Sequence, residues 1–592
     1  MNHHKILLSF YALLFLCLNG YSVAIIESDN DSKCRLIGES IYVHTDRDIY
    51  AAGENIYFKI YLLNNLQQEA FENSRIVYLV IRNSNQKRIF ESRVWLENNS
   101  GYGRIYIPDT LSTGFYQIIA FTNWMKGGFE QSQFTKEIFI TNRFDEAISE
   151  ELNEPTYRDS LANKLDIDYC NGYFSADSSY SLELRIAETK HSPRSKVVLN
   201  TLFKSNNQGD SIADVSIAVT EVNSLFNHGT NSIKSAYCFS ADEVNRSEKC
   251  INYRCIETKG VIVSGRVIDF VDVGIPNQMI FLSTPDTVVN LQYVVTDSNG
   301  AFQFMLNNYY EGKILFVGLL NNHNAENCRI VMDDKYNCSK PFNPTEYINT
   351  GRAHYLKKLQ TIATVNKSFE VDFSKDIATN YSYFYCPQLY SVPDYRVYTS
   401  DFLYLNQLDA ILSETLYGVK LNSQNRNSVS IFDPLFNQTY SNSFVFLDGV
   451  PFFYLSDIIG YGSDKVKRIE TVNSPWVLGD FLFKGILSIF TYNQEIDNFK
   501  DEMGLVVIPA GQYLPRTQFL SPNYSADEQR NRTPDFRQLL YWNPLVRLKS
   551  DQELELNFFT GDLCSDYLVK VEGVSSKGIP LSVCIIIKVI ND

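Results

Sequence analysis

Histidine is scarce in this chain, seven among 592 residues, and the seven are scattered. None sits in the His-Glu-x-x-His spacing that aims two imidazoles at one zinc ion. Neither the Gly-x-Ser-x-Gly elbow of a hydrolase nor a glycine-rich phosphate loop is present. Positive charge is in deficit as well: 53 Lys and Arg against 68 Asp and Glu leave a net charge of −15, which repels phosphate backbones and anionic lipid. Nucleic acid is therefore a poor partner. After the first 24 residues no apolar run approaches the ~20 residues that a helix needs to cross a bilayer, so no transmembrane helix is expected in the mature chain. No two cysteines have the two-residue spacing of a zinc knuckle or a redox pair.

What the chain does have begins at its N-terminus. Lys5, the apolar run Ile6 to Leu18 and the small residues of Ser22-Val23-Ala24 read as a secretory signal spanning residues 1–24, cleaved after Ala24. Lipidation at Cys17 is the alternative, although Leu16 is larger than a lipobox tolerates at that place. Ten cysteines follow Ala24. In an exported protein Cys250/Cys255, Cys328/Cys338 and Cys564/Cys584 could each form a local bridge or stay as buried thiols, and connectivity is left open. The length allows roughly four to six domains. Abundant Tyr and Phe, 38 and 39 residues, favour half-buried strands over helices, and the fold expected is mainly β.

Six short strands separated by turn residues, Ile41–His44, Asn55–Leu62, Val77–Ile81, Arg104–Ile107, Phe115–Phe121 and Ile138–Ile140, predict an antiparallel sandwich of about seven strands over residues 38–142. Its opening, Thr45-Asp46-Arg47 followed by Tyr50 and Gly53, resembles the signature of the second macroglobulin-type domain of the alpha-2-macroglobulin superfamily. Asp46 reads as a side-chain-capped turn, Asp48 as a solvated carboxylate, Gly53 as a site of positive φ and His44 as a packing or surface residue. Residues 143–190 read as a linker with irregular strands. A second immunoglobulin-like unit over 191–256 is carried by Ser211 to Thr220, where polar and apolar residues alternate as in a strand with one buried face.

Further modules follow. Val263–Asp269 and Thr296-Asp297-Ser298-Asn299-Gly300-Ala301-Phe302 resemble the carboxypeptidase regulatory-like domain, a small non-catalytic prealbumin-like sandwich, placed here at 257–345. Asp297 and Gly300 should turn a hairpin that returns Phe302 and Phe304 to the core. In 393–495, Leu405, Leu408, Ile411, Leu412 and Leu416 predict an amphipathic helix. Val445-Phe446-Leu447-Asp448-Gly449-Val450-Pro451, Ile469-Glu470 and Gly485-Ile486-Leu487-Ser488-Ile489-Phe490-Thr491 then resemble the plug domain of TonB-dependent receptors, an α+β unit. Residues 530–592, with Tyr541-Trp542-Asn543-Pro544, read as a C-terminal β-sandwich.

The module order resembles a family of exported bacterial proteins that combine these domains without a barrel. The thioester of a protease-trapping macroglobulin is missing, since Cys255-Ile256-Glu257-Thr258 offers Thr where the acyl-donating Gln belongs. The 100 residues after Tyr492 make at most about eleven membrane strands at ~9 to 11 residues each, even with no turns, too few for a receptor barrel of many strands. No catalytic, cofactor-binding or metal residue is assigned, no cofactor is expected, and the binding residues are unknown. The reading is a non-enzymatic binding or scaffolding protein of the outer membrane or periplasm with a protein partner in the envelope, an outer-membrane β-barrel being one candidate. Two alternatives stand beside it: an accessory of TonB-dependent nutrient uptake, and an enzyme whose carboxylates or Ser/His pair converge only in three dimensions.

Overall fold

A short strand with one apolar face is stable only when a second sheet covers that face, and nearly all of this chain solves that problem by sheet pairing. The computed structural model describes residues 39–64, 73–127, 133–145, 173–175, 177–207, 209–222, 232–233, 256–320, 328–337, 341–344, 350–369, 374–377, 387–402, 404–405, 407–422, 428–525 and 533–591. The signal segment, Cys17, the Cys250/Cys255 pair and Cys338 lie outside them. The fold is mainly β, in tandem sandwiches with one small α+β unit.

The N-terminal sandwich packs the sheet Glu39–Thr45, Asn55–Asn64, Ser100–Tyr106 on the sheet Ile49–Ala51, Phe134–Thr141, Gly114–Phe121, Ile76–Asn83, Arg88–Trp95. All six expected strands are present. The two unforeseen ones are the three-residue Ile49–Ala51 and the mostly half-buried Arg88–Trp95, whose apolar pattern is weak. Gly53 has φ +91°, and a Cβ there would run into the Asp109 carboxylate, so glycine is required.

The next sandwich corrects the expected boundaries. Ile212–Glu221 lies between Asp566–Ser575 and Leu539–Lys549 in one sheet, while Tyr180–Ile186, Lys196–Ser205 and Glu553–Phe559 form the facing sheet. Residues expected as a linker, a second unit and a separate C-terminal sandwich are thus one composite domain. Alternation reveals that Ile212–Glu221 has a buried face, but backbone pairing carries no side-chain code, so its neighbours about 350 positions away are invisible locally. Gly573 permits the close pairing, because a Cβ there would meet the Asp214 carbonyl and Val215.

Between those halves are inserted a third sandwich and the α+β unit. Val261–Ile268, Ala301–Leu306 and Arg329–Met332 face Gln292–Val295, Met279–Ser283 and Ile314–Leu319, and Val506–Pro509 returns after the α+β unit to complete the second sheet. Asp297 Oδ1 accepts from the Asn299 and Ala301 amides at 2.8 Å, Gly300 has φ +73°, and Phe302 and Phe304 are buried, as expected. The turn is nevertheless an arch between the two sheets and not a hairpin, since its flanking strands belong to opposite layers.

In the α+β unit the helix Leu408–Thr415 forms, with Leu405, Leu408, Ile411, Leu412 and Leu416 all buried. Phe444–Leu447, Ile486–Thr491 and Val466–Val472 are adjacent strands of one sheet. A helix not foreseen, Thr350–Ser368, rests Leu356 and Leu359 on Ile49 and Phe139. Cys564 is a thiol that donates to Asn591 Oδ1 and does not bridge to Cys584.

The first and composite sandwiches meet along a polar seam. Along Glu39–Thr45, Ile41 and Val43 point into the N-terminal core while Tyr42 and His44 point out to the neighbouring domain, which is why the whole strand is buried. The Glu572 carboxylate accepts from Tyr42 Oη, pairs with Lys570 Nζ at 3.0 Å and lies 3.6 Å from His44 Nε2. His44 Nδ1 is 2.7 Å from Ser216 Oγ, which also meets Tyr61 Oη at 2.8 Å. Lys59 pairs with Asp214 at 2.7 Å. Asp48 is paired with Lys136 at 2.6 Å, not solvated as expected.

Two outcomes follow from this architecture. A chain truncated after Thr533 leaves Ile212–Glu221 without either neighbour, so limited proteolysis should cut within residues 177–222, which the full chain protects; retained protection would mean that the segment folds alone. The second concerns acid. Burial pushes His44 down to about 3 from 6.5, outweighing the attraction of Glu572, with Lys570, Lys136 and Lys59 adding to the depression. The unfolded chain binds this proton below pH 6.5 and the folded chain does not, so His44 costs up to about 1.4 kcal/mol of stability per pH unit as pH falls from 6.5 towards 3. Denaturant titrations at several pH values should show a shallower loss in His44→Gln than in the wild type across that window, and equal slopes would refute the assignment.

Candidate functional site

Serine, histidine and a carboxylate meet in the seam: Ser216, His44 and Glu572 come from three strands that no local pattern connects. The set matches the partners of an acyl-transfer triad, in which the hydroxyl must meet substrate. Here Ser216 and Glu572 are 0% exposed and His44 1%, and the trio contributes nothing to the lining of the neighbouring cleft. Its chemistry is that of a sealed joint. Burial works to raise the Glu572 carboxyl, yet Lys570 and the Tyr42 hydroxyl hold it below the ordinary glutamate range. His44 is neutral and edge-on to Trp542 at 5.3 Å, so it is a packing residue. Among the described residues no group of three or more His, Cys, Asp or Glu could hold a metal ion.

At the end of the seam opens a cleft of about 790 Å³. Its walls are built by the turn after the first strand, the Gly53–Asn55 entry to the next, the end of Ser100–Tyr106, the last turns of the helix Thr350–Ser368, Pro515 to Phe519, and Arg537–Leu539 of the composite sandwich. Asp46 organises the first of these. It is buried and accepts from the Tyr50 hydroxyl and the Tyr57 amide, both at 2.9 Å, and from Arg47 Nε at 3.1 Å. Burial raises it to about 6, against the opposing pull of Arg47 and these hydrogen bonds. Asp46 does not cap its own turn as expected, because its carboxylate is taken by the Tyr57 amide eleven positions on and by the Tyr50 and Arg47 side chains.

Arg47 carries the link across the seam, pairing with Glu54 at 3.1 Å and donating from Nη1 to Gln538 Oε1 at 2.7 Å. The other lining cations are engaged too. Arg104 pairs with Asp376 at 3.0 Å, Lys367 with Asp109 at 3.5 Å and Arg537 with Asp535 at 3.0 Å, while Arg143 lies 4.6 Å over the Phe144 ring. Four of the five lining cations are thus paired with carboxylates, of which Glu54 and Asp109 themselves line the cleft. Two amide atoms in its lining have no hydrogen-bond partner among the described residues, Gln538 Nε2 and Asn55 Oδ1. Tyr106, 51% exposed, stands at the rim. Arg47 and Gln538 lie in segments singled out from sequence, but 491 positions separate them, and no local signal marks them as neighbours.

A family model described as the MG2 domain matches residues 40–135. No curated protein matches. Among solved structures the chain is similar to a Salmonella alpha-2-macroglobulin mutant at 8% identity and TM-score 0.23, over 95% of this chain and 40% of that one. It is similar to an Escherichia coli alpha-2-macroglobulin activated by porcine elastase at 8% and 0.23, over 93% and 44%. It is also similar to the Yersinia pseudotuberculosis adhesin InvE at 7% and 0.13, over 50% and 58%. The chain spans less than half the length of these macroglobulins, and likeness this loose carries no functional inference. Residues 40–135 thus match the MG2 domain model and fold as a β-sandwich within a larger β-rich chain.

Proposed function

We propose that the chain is an exported, non-enzymatic binding or scaffolding protein of the bacterial cell envelope, at the outer membrane or in the periplasm, with a protein partner there. The observation that carries this reading is the seam. A largely buried set of polar groups holds the first sandwich and the composite sandwich in one orientation and leaves a formed cleft at its end. Rigid frames that present a surface are what binding proteins need, because little ordering remains to be done when the partner arrives. The Ser216/His44/Glu572 set is sealed inside that frame, which favours structure over catalysis. Among the described residues no helix is long and apolar enough to cross a membrane.

We read residues 257–345 and 393–495 as regulatory-like and plug-like modules, the second being the contact unit. Exposed apolar side chains favour that role: Leu435 and Phe436, adjacent in one turn of the α+β unit, are 77% and 64% exposed. An outer-membrane barrel as the partner would make the protein an accessory of TonB-dependent uptake.

Crosslinking of intact cells that express a tagged copy, followed by envelope fractionation, tests the proposal. A co-purifying envelope protein is expected. Its recovery should fall several-fold in a Leu435→Ser/Phe436→Ser variant whose melting temperature is unchanged, since both side chains sit on the solvent side of a turn. A barrel among the partners selects the uptake reading. Failure to recover any envelope protein sinks the scaffold, and unchanged recovery with the double variant removes the α+β unit as the contact.

A further inference from the structure

A buried donor and a buried acceptor without partners are costly to leave unsatisfied, and native proteins rarely do so without a reason. The cleft holds both, Gln538 Nε2 and Asn55 Oδ1, with no partner among the described residues. Gln538 is 5% exposed, and Arg47 engages its other amide atom, so the donor end is the one left over. The lining cations are already engaged, four by carboxylates and Arg143 over a ring, so an anionic ligand would gain little net attraction and would have to compete with existing ion pairs. The volume of about 790 Å³ falls within the ~300–1,000 Å³ usual for small-ligand sites.

From these observations we propose that the cleft binds a neutral oligosaccharide. A sugar hydroxyl both accepts and donates, so the hydroxyls of one oligosaccharide can take the Gln538 N–H and give a proton to Asn55 Oδ1. The apolar C–H face of a pyranose can lie against the exposed Tyr106 ring. An extended peptide could also satisfy an amide pair, but it would need an open strand edge. The end strand Ser100–Tyr106 is already packed beside Arg516–Phe519. The inference rests on the reading of the chain as a non-enzymatic binding protein and supplies the ligand class for this site.

The test is calorimetric titration of the full chain with maltohexaose, cellohexaose, xylohexaose, mannohexaose and chitohexaose, with each mixture then chromatographed for cleavage. Binding of at least one sugar at micromolar to millimolar concentration is expected, weakened by about tenfold or more in Gln538→Glu, which keeps the acceptor for Arg47 but loses the donor. Tyr106→Ser, at a half-exposed site, should weaken it comparably with no change in melting temperature. No binding by any of the five, or affinity unchanged in both variants, overturns the proposal. Binding of neutral extended peptides that Gln538→Glu abolishes would overturn it in favour of a peptide site. Loss of the sugar result with envelope partners still recovered defeats the ligand class alone, whereas cleavage of a bound sugar defeats the non-enzymatic reading itself.

Discussion

The arrangement of this molecule turns on one ionised carboxylate placed where no water reaches it. Removing a carboxylate from water costs several kcal/mol even after relaxation, and the cost is offset only by partners in good geometry. Glu572 has them from both sides of the seam: Lys570 from its own strand, and the Tyr42 hydroxyl and His44 ring from the MG2 sandwich. Two apolar sheet faces can slide over one another with little change in buried area, but a carboxylate cannot slide off its donors without being stranded. The seam therefore selects a register. Tyr42 stands opposite Tyr61, His44 opposite Lys59 and Ser216 opposite Glu572, so the polar groups of four strands fall on facing rows.

The chain path makes that register a property of the whole protein. The third sandwich and the α+β unit are inserted between Ile212–Glu221 and Leu539–Lys549 of the composite domain, and the α+β unit is itself nested before Val506–Pro509 of the third. The central strand of the composite sheet cannot be covered until the C-terminal strands have been made, which places most of its pairings at long sequence separation and slows their formation. The same nesting ties both ends of the inserted modules to one rigid frame.

Sequence shows elements better than partnerships here, for a physical reason. The side-chain periods of 2 and 3.6 register which face of a segment is buried, so Ile212–Glu221, the helix Leu408–Thr415 and the strands of the MG2 domain could be read directly. Turn chemistry was equally local: Asp297 and Gly300 specify their bend, though not whether it joins one sheet or two. The helix Thr350–Ser368 was hidden because, among its described side chains, only Leu356, Leu359, Ile362 and Ala363 are buried, amid lysines and polar residues. Pairing leaves no such trace. Val215 beside Gly573, or His44 beside Ser216 and Glu572, is decided by which sheets remain to be covered, and the cleft, built from six separated segments, inherits that invisibility.

Seam and cleft are also coupled through shared residues. Asp46, buried, holds Arg47, and Arg47 takes the carbonyl oxygen of Gln538 from across the seam. With its oxygen engaged, the Gln538 amide cannot rotate to exchange its ends without breaking a charge-assisted bond, so its N–H group is left in one orientation as the uncommitted donor. A donor held in this way has little conformational entropy left to lose on binding. The buried charges that fix how two sandwiches meet thus also fix what the opening between them presents, and a change that loosened the seam would blur the cleft before it unfolded either domain.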